Sequence, residues 1–171
     1  MKKLVIMTML IAGMTMLARA EYVTPPEGLR LRKEPSLDAE IIRVLPFRTQ
    51  VEGIVSAGWM KTDDGYLKAE YLSENDPLSE MTFMGEWRLT AYYETGYATA
   101  SGVYPEVNVT LAHNSLPFGT QVYFEDLGIW TVQDRGPAHL GTEWADLYLG
   151  DYGTCVQFGE RTAKAYIIKS P

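Results

Sequence analysis

The stretch "TVQDRGPAHLGTEWADLYLGD", residues 131–151, sets two carboxylic side chains, Asp134 and Asp146, on either side of a segment with a proline and two glycines. Paired carboxyls suit the cleavage of a glycosidic bond. The leaving oxygen has to be protonated, so one carboxyl must stay protonated near neutral pH. Apolar neighbours and a second carboxylate both push a carboxyl pKa upward. Read as a strand, "WADLYL" points Trp144, Asp146 and Tyr148 one way and Ala145, Leu147 and Leu149 the other. The second set is apolar and suits a barrel interior, which leaves Asp146 between two aromatics on the accessible face. Asp134 follows the run "IWTVQ", and a turn through Pro137 and Gly141 brings the two carboxylates to one end of a sheet. The same residues admit a plainer account, in which Asp134 caps a turn and Asp146 is a solvated strand residue.

Other reactive side chains are few. Cys155 is the single cysteine, and His113 and His139 are the only histidines. An exported protein usually spends cysteines in pairs, so no disulfide framework is expected, and Cys155 reads as a small packed residue. His139 reads as a loop residue. The donor set Asp134, Asp146 and His113 mixes hard and soft ligands. The acid chemistry needs no metal, and no metal or cofactor is expected.

The elements that must hold these residues are short strands. Residues 21–72 contain alternating runs such as "LRLRK", "IIRVL" and "QVEGIV", broken by turn signals roughly every ten residues. "SENDPLSE" reads as a linker. Further strand-like runs follow at "WRLTAYY", "TQVYF", "IWTVQD", "WADLYL" and "AKAYIIK", and "DYGTCVQFG" is a candidate short helix despite its glycine. The expectation is an all-β chain with a signal at 1–20, one unit at 21–75, a linker at 76–81 and a second unit at 82–171.

The first 20 residues have Lys2 and Lys3, an apolar run at 4–17, and a small-x-small sequence at Ala18-Arg19-Ala20. The run is too short to span a bilayer comfortably, so a cleaved export signal is expected, followed by a monomer with no membrane insertion. The signal holds three of the 15 basic residues and none of the 22 acidic ones, so the rest of the chain carries a net charge of −10. That balance argues against nucleic acid and against anionic membrane surfaces as partners.

Two resemblances add to this reading. "GLRLRKEPSLDAEIIRVLP", "AGWMKT" and "GYLKAEYL" resemble a bacterial SH3 (SH3b) domain, a small SH3-like barrel, across nearly all of residues 22–73. Two departures stand out: Arg48 occupies a turn position usually held by glycine, and the loop before Gly65-Tyr66 is short. The resemblance implies a wall- or peptide-binding module, with Trp59 and Tyr66 as candidate wall-binding aromatics; the alternative is that both are core residues. "TAYYETGYATASG", "LAHNSLPFGTQVYF", "VQDRGP" and "ADLYL" resemble double-psi β-barrels of the rare lipoprotein A type. The tail "FGERTAKAYIIK" and the Asp134–Asp146 spacing are similar to the three-aspartate (3D) domain of lytic transglycosylases.

That likeness covers about residues 85–169 and implies a six-stranded double-psi barrel acting on the glycan strands of peptidoglycan, with stem peptides as possible further contacts. It assigns Asp146 as acid/base and Asp134 as its companion. His113 joins the candidate catalytic residues, standing near where the 3D pattern has its first aspartate. Whether its role is catalytic, substrate-positioning or structural stays open on the sequence. Thr90, Tyr92 and Ser101 match positions that line the cleft, and Trp144 and Tyr148 flank the acid as candidate substrate contacts. A non-catalytic, expansin-like wall binder is the alternative function.

Overall fold

The computed structural model describes residues 17–94, 96–139 and 141–168. The protein is all-β, with one seven-stranded sheet and one closed six-stranded barrel. The sheet comprises β1 (Arg19–Val23), β2 (Leu29–Arg32), β3 (Ile41–Leu45), β4 (Gln50–Ser56), β5 (Trp59–Lys61), β6 (Tyr66–Lys68) and β7 (Leu72–Ser73), in the order β3-β2-β6-β5-β4-β1-β7. Val23, Leu29, Leu31, Leu45, Met60 and Leu67 close its core. Trp59 and Tyr66 lie outside that cluster, half-buried on the outer face, so the core alternative does not hold for them.

The export signal falls largely on residues 1–16, which lie outside the described residues. Its expected boundary after Ala20 cuts through β1, where Arg19 and Ala20 pair with Gly53 and Glu52 of β4. No helix among the described residues is long and apolar enough to cross a membrane.

The barrel is built from β8 (Thr82–Tyr93), β9 (Thr110–Ala112), β10 (Gln121–Phe124), β11 (Gly128–Asp134), β12 (Trp144–Gly150) and β13 (Arg161–Ile167), closed in the order β10-β11-β9-β12-β8-β13. β12 runs parallel to β8 and β11 parallel to β9, while β12 and β9 are antiparallel. Parallel neighbours require crossovers rather than hairpins, as a double-psi order does. Alternation fills the interior: Trp87 and Leu89 from β8, Leu111 from β9, Val122 and Phe124 from β10, Trp130 and Val132 from β11, and Ala145, Leu147 and Leu149 from β12.

The short helix α1 (Tyr152–Phe158) starts where the Asp151 side chain accepts the Thr154 N–H and ends at Gly159 with φ +62°. Its Cys155 is buried in the barrel core with a free thiol.

The linker is held rather than loose. Asp76 accepts the Leu78 N–H to open a 3-10 turn over Pro77–Glu80, and it receives a two-pronged ion pair from Arg48 at 2.8–3.0 Å. Arg48 adopts φ +64°, the left-handed conformation for which glycine is the usual choice at this turn. That geometry costs an arginine on the order of 1 kcal/mol, which the paired guanidinium offsets. Phe47 beside it meets Tyr123 of β10 edge-on at 5.3 Å, which docks the sheet on the barrel.

Candidate active site

The two aspartates come together through one small residue. Ala112 of β9 is the register partner of Asp146 on β12 and of Asp134 on β11. Two strand spacings separate the aspartate backbones, about 10 Å. Asp146 reaches this row by simple alternation, opposite in sense to buried Leu147. Asp134 does not. It shares parity with Trp130 and Val132, both in the core, and an unbroken β11 would turn it inward.

A bulge at Gln133 shifts the register between Val132 and Asp134 and rotates Asp134 onto the outer face. The bulge is pinned from two sides. The Ser101 N–H donates to the Gln133 carbonyl at 3.1 Å, and the Thr110 hydroxyl donates to Gln133 Oε1 at 2.6 Å.

Around Asp146 the donors form a one-way chain. Trp144 Nε1–H donates to Thr90 Oγ1 at 2.9 Å, and the Thr90 hydroxyl donates to Asp146 Oδ1 at 2.9 Å. The indole can only donate, so it commits the single hydroxyl proton of Thr90 to Asp146. Oδ1 is thereby occupied as an acceptor, and a proton on the carboxyl must sit on Oδ2. Burial pushes the Asp146 pKa above the ordinary carboxyl value, and the charge of Asp134 adds to the rise, against the opposing hydrogen bond from Thr90.

Asp134 is used differently. Its Oδ1 accepts the N–H groups of Ala100 and Arg135, both at 2.8 Å, and its Oδ2 accepts the Tyr92 hydroxyl at 3.1 Å. Burial, followed by the charge and hydrogen bond of Asp134, raises the Tyr92 pKa well above that of a free phenol, so Tyr92 is a neutral donor at any working pH. Asp134 therefore anchors the loop that carries Ala100 and sets a second carboxyl group near Asp146.

Three expected roles change on this geometry. His113 is 2% exposed, and its ring stacks on Trp87 at 4.7 Å. Its Nδ1 accepts the N–H groups of Ser115 and Leu116 at 3.3 and 3.1 Å, which leaves Nε2–H to donate to the Thr142 carbonyl at 3.0 Å. A second ring proton would collide with two donors, and burial also lowers its pKa, helped by Arg135. His113 is a neutral tie between the end of β9 and the approach to β12, with no nitrogen left to serve as a catalyst. Tyr148 is 7% exposed and packed at 5.2 Å against Tyr92, so it supports that ring instead of facing a ligand. Ser101 is exposed but acts through its backbone on the bulge, with its hydroxyl 3.0 Å from that of Thr99.

Trp144, Thr90 and Tyr92 remain half-buried on the outer face. The sequence reading missed the neighbours of Trp144. The Arg88 guanidinium lies over its ring at 4.3 Å, and His139 meets it edge-on at 6.4 Å. Alternation along "WRLTAYY" places Arg88 on the face of Thr90 and Tyr92 and was the available signal for it. His139 had none. Among the described residues, no three His, Cys, Asp or Glu side chains are grouped to hold a metal ion. No family model matches the chain, and no curated protein compared with it does so either.

Proposed function

We propose that this protein is an exported enzyme that cleaves the glycan strands of peptidoglycan as a lytic transglycosylase, working without a cofactor. The observation that carries this reading is Asp146: a half-buried carboxyl of raised pKa, oriented by Trp144 and Thr90, beside a second carboxylate tied up by three donors. Asp146 protonates the oxygen linking N-acetylmuramic acid to N-acetylglucosamine, and that bond breaks. The resulting carboxylate takes the proton of the muramyl 6-hydroxyl as its oxygen bonds to the anomeric carbon. Asp146 ends protonated again, no water is consumed, and a 1,6-anhydro ring closes. The nucleophile lies within the same sugar, so a high effective molarity replaces a bound water. Most hydrolases need a second carboxylate free to activate water or attack carbon. Asp134, engaged on both oxygens, is poorly suited to either task, which favours the intramolecular route.

The test is to incubate the protein with purified sacculi and weigh the soluble fragments. Anhydro ends, one water lighter than hydrolytic ends, are expected, and Asp146→Asn should release none. Reducing ends would replace the transglycosylase with a hydrolase. A second reading, a wall-loosening binder without catalysis, draws on the openness of the site. The carboxylates sit on strand surface, away from the cavities of about 660 and 490 Å³ that lie at the seam between sheet and barrel. Wall binding with no release of fragments would select it.

A further inference from the structure

The sheet and the barrel are built as separate bodies. Among the described residues no strand of one is hydrogen-bonded to a strand of the other, and their core clusters share no residue. Residues 74–81, between β7 and β8, connect them. Units joined in this way move against each other unless an interface holds them. Cavities of about 660 and 490 Å³ run along the seam, and Phe47 lines both.

One turn, between β3 and β4, bridges that seam. Its backbone is fixed from the sheet side: the Arg48 N–H donates to the Val23 carbonyl at 2.8 Å, and the Thr49 N–H to that of Pro46 at 3.1 Å. Its side chains reach the other way. Phe47 meets Tyr123 of β10, while Arg48 grips Asp76 of the linker with two nitrogens. Arg48 Nη1 also lies 4.0 Å from Glu125 Oε1, and Glu125 in turn pairs with Lys164 Nζ of β13 at 3.1 Å. Asp76, Arg48, Glu125 and Lys164 thus form one chain of alternating charge from the linker, through the sheet, into the barrel. An isolated exposed pair contributes little, but a two-pronged arginine pair within a network is the exception. The Asp76 hydrogen bond pushes the Arg48 pKa further above its ordinary value, and the Arg48 hydrogen bond holds Asp76 below its own, so both stay charged. Glycine would take the left-handed backbone at this turn more easily and supply none of these links.

We infer that Arg48 is a latch between the two units. It holds sheet and barrel as one rigid body that melts cooperatively, and its loss frees them to reorient about residues 74–81. Anything bound to the sheet is thereby kept at a fixed distance from Asp146. The inference rests neither on the cleavage chemistry nor on any wall ligand.

The experiment is amide nitrogen relaxation on the full chain, read beside scanning calorimetry. Wild type should give one tumbling time shared by the amides of β2–β6 and of β8–β13, and a single melting transition. Arg48→Gly should lose the shared value, each unit tumbling separately and faster, and its melt should split in two. Asp76→Asn keeps a side chain able to cap Leu78 and leaves the turn backbone untouched. It should shift both readings the same way, and it carries the test even if the glycine variant does not fold. Glu70→Gln, which removes a sheet carboxylate outside the charge chain, should change neither reading. Two tumbling times in wild type, a shared time retained in Asp76→Asn, or equal uncoupling by Glu70→Gln would overturn the latch. Neither measurement reads activity, so failure of the transglycosylase reading leaves the result standing.

Discussion

The outer face of the barrel and the groove of the sheet hold polar groups in opposite states. On the barrel almost every polar atom near the carboxylates already has a partner. Trp144 is committed to Thr90, Thr90 to Asp146, and Asp134 to Tyr92, Ala100 and Arg135. In the groove of the sheet lined by Arg30, Arg32 and Lys68, these three cations have no ion-pair partner among the described residues. A wired network holds a proton on a chosen oxygen at little reorganisation cost, which is what acid catalysis requires. Unpaired charge serves instead to attract and retain a ligand. On the proposed reading, chemistry and ligand retention would fall to separate places, and substitutions should break either without the other.

The largest effect should come from Asp146→Asn, which preserves shape and removes the transferable proton. Turnover on sacculi should fall by roughly 10²–10⁴-fold or more, with wall binding intact. Stability should move the other way. The folded pKa of Asp146 is raised, so the native state gains from protonation at low pH, and this contribution fades as pH climbs through that pKa. The amide should therefore melt higher than wild type at pH 7, by about 2 °C, with the gap closing toward pH 3. A lower melting point at pH 7 would place Asp146 in an environment that favours its charge.

Next in size is Asp134→Asn. Removing a like charge lowers the pKa of Asp146, so the limb on which activity is lost with rising pH should shift to lower pH, and turnover at pH 7 should drop about tenfold. An unmoved limb would mean that the two carboxyls are not electrostatically coupled. Trp144→Phe keeps an aromatic for Arg88 but releases the Thr90 hydroxyl from its fixed direction. A loss of about threefold in kcat is expected, the scale of one net hydrogen bond. A change confined to KM would make Trp144 a substrate contact alone.

The smallest effect on chemistry should come from His113→Gln. Activity per folded molecule should stay near wild type, while stability falls by about 1–3 kcal/mol through the lost ties to Ser115, Leu116 and Thr142. The folded pKa of His113 is lowered, so the unfolded chain binds more protons below its ordinary value of about 6.5. Wild type should lose stability as pH falls through that region, and the variant should lose less. A pH-rate profile altered at constant stability would return His113 to the catalytic set.

Legibility in the sequence follows the range of the forces involved. The pleat forces alternation on any strand, so "WADLYL" alone determined that Ala145, Leu147 and Leu149 enter the core and that Trp144 and Asp146 leave it. The same rule misplaces Asp134. A bulge depends on partners distant in the chain, here Ser101 and Thr110 on either side of Gln133, and local pattern carries no record of them. Tyr148 has the alternation of an exposed residue and is covered because Tyr92 of another strand lies against it. His113 sits in a motif that invites a catalytic reading, yet its role is decided by where two backbone donors and one carbonyl meet its ring. Arg30, Arg32 and Lys68 are ordinary strand cations until β2 and β6 pair and leave all three without an ion-pair partner among the described residues. Residue type and the two-residue period are local properties of the chain. Register, bulges and the absence of a counter-charge exist only once distant strands have met.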